Sequence, residues 1–137
     1  MNRADFQRLA NERIADAKAL LAAKRWGAAY YLAGYAVEAA LKACIAKLMP
    51  PEEFPEKNFV DKCWTPNLVQ LLGPAQLKAD FDAALKADKE LRKNWKVVSD
   101  WDESSRYESR TKGKAEQLYE AITDKKHGVL LWFKFRW

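Results

Sequence analysis

The sequence predicts an all-α fold, a bundle of four to five helices with an up-and-down N-terminal pair, on three observations. Apolar residues return at helical intervals through most of the chain. The first two periodic segments are separated by a few residues, which makes them antiparallel neighbours. No pair of alternating stretches offers a sheet. At 137 residues the chain is expected to form one domain, 1–137, burying roughly two thirds of the unfolded surface without disulfides or metal.

The first helix, residues 4–24, carries Phe6, Leu9, Ile14, Ala17, Leu20 and Leu21 on one side. "KRWG" (Lys24–Gly27) supplies a stop and a turn. The second helix, 28–48, has an apolar stripe of Tyr30, Ala33, Val37, Leu41, Cys44, Ile45 and Leu48. Its many small residues let another backbone come close, which would compensate the roughly 1 kcal/mol that Gly34 costs against Ala in a helix. "MPPEEFPEKNFVDKCWTPN" holds four of the five prolines and reads as a long surface excursion. Its Phe54, Phe59 and Trp64 are expected to pack on the body.

Thr65 and Pro66 look like N-cap and N1 of a short helix closed by Gly73. Helical spacing continues over 74–86 and 89–98. "SDWDESSRYESRTKG" is a polar loop around one Trp and one Tyr. A last helix covers 114–124, "KKHG" ends or bends it, and "VLLWFKFRW" adds a final apolar turn or two. That run has strand-like composition, but without a partner strand helix is the better reading. Trp132, Phe133, Phe135 and Trp137 either pack on the bundle or form a dimer surface.

Lys and Arg exceed Asp and Glu to give a net charge of +5. This favours anionic partners without requiring them, because the cations are scattered and form no polybasic run. Cys44 and Cys63 match no metal or CxxC spacing and are expected to be reduced thiols. The charged opening "MNRADFQRLANER" lacks the apolar core of a signal peptide, and no apolar run reaches membrane-spanning length. A cytoplasmic protein with no membrane association is expected. No P-loop, GxGxxG, HExxH or zinc spacing occurs, so no cofactor and no metal is assigned.

Glu38, set among small and apolar residues, has two visible partners. Lys42, one turn along, gives an ordinary i,i+4 pair. Arg106 in "SSRYE" offers two parallel hydrogen bonds to a carboxylate from the C-terminal half. Either way Glu38 reads as a structural acid rather than a catalyst. Arg106, Tyr107, Arg110 and Lys112 form a short basic and aromatic stretch. Such a stretch either grips phosphate and stacks a base or is a solvated loop whose Tyr covers the core. His127, the only histidine, precedes Gly128 at a helix end, where it can meet unpaired carbonyls without any chemistry.

Several segments together resemble the HEPN domain family. They are "RLANERIADAKALLAAKRWGAAYYLAGYAVEAALKACIAK", "NWKVVSDWDESSRYE" and "LYEAITDKKHGVLLWFKFRW". The resemblance covers most of the chain and is weakest in the proline-rich excursion. It implies a helical bundle that commonly dimerises and associates with nucleotide or RNA biology. Many relatives are toxin-type ribonucleases of toxin–antitoxin pairs, matched with a small nucleotidyltransferase or another antitoxin. Those enzymes use an Arg, four to six intervening residues and a His, assembled across a dimer. Here the nearest arginine upstream of His127 is Arg110, far outside that spacing. A second departure falls at "WTPNL", where relatives often carry a His and this chain has Pro66.

The reading is therefore a binding or assembly module, expected to be a homodimer in the family's manner, acting on nucleotide, RNA or a nucleotidyltransferase-like partner protein without the usual ribonuclease activity. Its ligand-binding candidates are Glu38, Lys42, Arg106, Tyr107 and Arg110. The alternative is a metal-independent endoribonuclease with a diverged site, in which Arg106 stabilises phosphorane charge and His127 or Tyr107 moves protons.

Overall fold

Asn2 starts the first helix, α1 (Arg3–Ala22), with a reciprocal cap. Its side chain accepts from the Asp5 amide at 2.9 Å, and the Asp5 carboxylate accepts from the Asn2 amide at 3.0 Å. The fold is described by a computed structural model covering all residues, Met1–Trp137. After α1 the chain reverses within residues 23–25, with Lys24 in the left-handed region at φ 61°. It continues into α2 (Trp26–Leu48), antiparallel to α1 and packed along it.

Helix α2 is the axis of the molecule. From Ala36 to Leu41 every residue is buried, on all sides of the helix. α1 covers one flank, and the helices at Lys112–Thr123, Val129–Lys134 and Leu68–Leu71 and the 100–107 segment cover the others. A helix apolar all round belongs at the centre of a bundle, and its alanines permit that many close neighbours. The close approach at Gly34, however, comes from a side chain and not from a helix backbone. A Cβ at Gly34 would lie 2.1 Å from the Trp101 ring.

The excursion after α2 contains a helix that periodicity did not reveal, α3 (Lys57–Cys63). Of its aromatics only Phe59 packs against the core; Phe54 is 99% exposed and Trp64 77%, contrary to expectation. Helix α4 (Leu68–Leu71) is capped by Asn67, whose side chain accepts from the Gln70 amide. Thr65 sits earlier and accepts from the Asn67 amide instead. The following reversal uses Gln76 at φ 56°, so α5 (Lys78–Ala87) starts four residues later than Pro74 suggested.

Asp88 caps α6 (Lys89–Ser99), and Thr111 caps α7 (Lys112–Thr123). The apolar terminal run is helical, α8 (Val129–Lys134), and no strand forms. Phe81 lies at the centre of an aromatic cluster, with ring centroids 4.8 Å from Trp95, 4.7 Å from Trp132 and 5.3 Å from Phe133. Trp132 and Phe133 thus pack on the bundle, while Phe135 stays exposed. Five helices of ten residues or more frame the all-α fold, and the three short ones fill its ends. No helix is long and apolar enough to cross a membrane.

Candidate functional site

The segment leaving α6 is fastened to α2 by one large side chain. Trp101 is buried against Gly34 and stacks edge-on with Tyr35 at 5.5 Å between centroids, and Tyr35 in turn meets Tyr31 at 4.8 Å. Asp102 then caps a 3-10 turn, Glu103–Tyr107, accepting from the Ser104 amide at 2.8 Å. Ser105 points inward and is fully buried, which turns its neighbours Arg106 and Tyr107 outward. The Arg106 guanidinium lies over the Tyr107 ring, 4.7 Å from its centroid.

Beside this turn is a cleft of about 500 Å³, lined by Trp26, Gly27, Tyr31, Arg106, Glu108 and Arg110 among others. The first turn of α2 forms one wall, and no side chain caps it. The unpaired amides and the positive end of a 23-residue helix therefore open into the cleft. Arg110 is held in place: it donates to Glu108 Oε2 at 2.6 Å and lies 4.6 Å over the Tyr30 ring. Arg106 has no carboxylate within ion-pair distance. Its pKa is raised above the ordinary arginine value by the Tyr107 phenol first and by the nearby Tyr31 next. The Tyr35 phenol is pushed up to about 12 by the adjacent Tyr31, by burial and by the negative charge of Glu38. The cleft can thus hold an anion with the unpaired Arg106 guanidinium and helix amides, and offers aromatic faces beside it.

Glu38 does not pair with Arg106. It is buried, and its Oε1 accepts from Lys42 Nζ at 2.7 Å, so the local partner prevails inside the bundle. Arg106 faces the other way because Ser105, not Arg106, fills the interior position of the 3-10 turn. Glu38 Oε2, Trp101 Nε1 and Ser105 Oγ are buried without a protein partner. Glu38 and Lys42 line a separate apolar groove toward the other end of α2. Of the candidate ligand residues, the structure brings Arg106, Tyr107 and Arg110 together and leaves Glu38 and Lys42 apart from them.

His127 belongs to a different construction. Its Nδ1 lies 2.8 Å from Asp88 Oδ2, while Asp88 Oδ1 accepts from the Glu90 and Leu91 amides. Asn94 donates to the His127 carbonyl at 2.8 Å, and Asp124 accepts from the His127 amide. The pKa of His127 is raised, chiefly by the hydrogen bond with Asp88. This clasp stands at the start of α6, whereas Arg106 follows its end. The eleven residues of α6 span about 16 Å at 1.5 Å per residue, and no hydrogen bond, ion pair or shared cleft joins Arg106 to His127. The aspartate of the clasp was readable as an N-cap before "KEL", but nothing local marks its partner 39 residues on.

The thiols are free. Cys44, pushed up to about 11 by burial, faces the Phe133 carbonyl at 3.7 Å. Cys63 closes α3 and is also raised by burial. No group of three His, Cys, Asp or Glu side chains is placed to hold a metal ion.

No curated protein and no solved structure matches the sequence. A family model described as "HEPN domain" matches residues 4–134, nearly the whole chain and every helix described above. Membership in that family generally implies a function related to nucleotide or RNA. The chain belongs to the HEPN domain family.

Proposed function

We propose that the chain is a single HEPN-like domain, 1–137, that binds RNA or a nucleotide through the cleft at the start of α2 and does not cleave it. The observation that carries this reading is the junction of an uncapped helix N-terminus with Arg106, a cation that no protein carboxylate neutralises. A phosphate placed there gains charge-assisted hydrogen bonds from guanidinium and amides. Trp26 in the cleft wall, and the exposed Tyr107 next to Arg106 outside it, supply faces on which a base can stack. In this reading Arg110 shapes the wall, since Glu108 already occupies its charge. The domain works as a homodimer or beside a nucleotidyltransferase-like partner, as part of a toxin–antitoxin type assembly.

The separation of Arg106 from His127 supports binding over catalysis, because proton transfer needs both groups within hydrogen-bond reach of one substrate. The test uses labelled mixed-sequence RNA without added metal, on the native protein and on Arg106→Ala. RNA affinity is expected to fall about tenfold while the melting temperature holds, because Arg106 is exposed. Equal affinity in both proteins removes the arginine from the site. Cleavage of RNA but not of matching DNA, lost in Arg106→Ala, replaces this reading with the diverged ribonuclease.

A further inference from the structure

At the opposite end of α2 from the cleft, the helix forms the floor of an apolar groove of about 420 Å³. Phe6 and Leu9 of α1, Ile45 of α2 with Met49 just after it, and Phe59 and Val60 of α3 line it. The apolar surface continues past the groove, where Met1 is 75% exposed and the indole of Trp64 77% exposed on its rim. Phe54 projects from the same excursion. Contiguous apolar surface of this kind on a soluble protein marks an interaction site, and methionines and large aromatics are side chains that interfaces favour.

One electrical feature selects the occupant, because within the groove wall Glu38 is already paired with Lys42. The segment supplying α3 is locally acidic on a basic chain: Glu52, Glu53, Glu56 and Asp61 stand against Lys57 and Lys62. All four carboxylates are exposed and none is in an ion pair.

The geometry points to a docking site for a basic amphipathic helix of a partner protein. Its apolar ridge fills the groove between α1, α2 and α3, and its Lys and Arg side chains meet the exposed carboxylates of the segment that supplies α3. The surface lies on other residues than the RNA cleft, and the inference stands or falls apart from that reading.

A displayed library of helix-forming peptides, panned on the native protein, tests it. Enriched peptides are expected to carry apolar residues at i, i+3 or i+4, and i+7, flanked by Lys and Arg. Their affinity should fall about tenfold or more on Trp64→Ala and on Val60→Glu, and stay unchanged on Arg106→Ala. Melting curves accompany each variant, and Trp64→Ala, an exposed position, decides if Val60→Glu fails to fold. No enrichment, enrichment of acidic peptides, or binding insensitive to Trp64→Ala overturns the proposal. So does sedimentation showing a self-associated chain that Trp64→Ala dissociates, since the occupant is then a second copy.

Discussion

The two ends of α2 are built from one helix and behave as opposites. At the N-terminal end a well-fixed segment covers it: Trp101 is seated against Gly34, Asp102 caps the turn, and Arg110 is pinned between Glu108 and Tyr30. On the groove side of the C-terminal end the cover is α3, a seven-residue helix with no buried residue, entered through three prolines and followed by an exposed tryptophan. The first end presents a charge on a rigid mount. The second presents apolar surface on a short element of low local stability. The difference lies in the anchors of the covering segments, since the alanine-rich helix beneath is much the same at both ends.

Removing an anchor is the strongest way to break that contrast. Trp101→Ala leaves a large void beside Gly34 and should cost about 3–5 kcal/mol in denaturant unfolding. Where the variant still folds, it should lose RNA affinity and retain peptide binding at the groove. Gly34→Ala attacks the same contact from the helix side, because its new Cβ meets a ring that cannot fold away. It should cost about 1–3 kcal/mol by the same unfolding measurement, and a stability equal to that of the native protein would show that the indole moves freely.

The smallest effect sharpens the comparison by touching neither end. The bond between Asp88 and His127 holds the histidine above its ordinary pKa and the aspartate below the usual carboxylate range. The histidine's contribution is complete below its unfolded pKa, near 6.5, and is lost as pH rises through its folded value. The aspartate's contribution is present above its unfolded pKa, near 3.9, and is lost as pH falls through its folded value. Asp88→Asn keeps a helix cap and removes the charge. Urea midpoints across a pH series should differ most between native and variant in the mildly acidic range and converge above the raised histidine pKa. Both ligand affinities should stay level.

Much of the frame was legible because it is written in periodicity. The observed α1, α2, α6 and α7 begin and end within about two residues of the readings from apolar spacing. Turns were less so. The left-handed positions fall at Lys24 and Gln76, whereas glycines stand nearby at 27 and 73 and drew the reading to themselves. Helix α3 is too short for a period to show between its flanking prolines. Composition also names an aromatic residue without its direction, which is why Phe54 and Trp64 were expected inside.

At the candidate site, the pairing of Glu38 with Lys42 follows from spacing alone. The orientation of Arg106 depends on a single-residue phase in a 3-10 turn, and Ser105 takes the interior place there. Asp88 and His127 meet only because α6 and the α7–α8 turn are folded against each other. No local signal carries that meeting.

Helix α2 is also a ruler. Its 23 residues span about 34 Å at 1.5 Å each, and its middle is buried on all sides. Anything seated at one end is held at a set distance from anything seated at the other. Two such guests would not compete, and each would raise the local concentration of the other. By that geometry alone, a small domain can turn two weak encounters into one durable assembly.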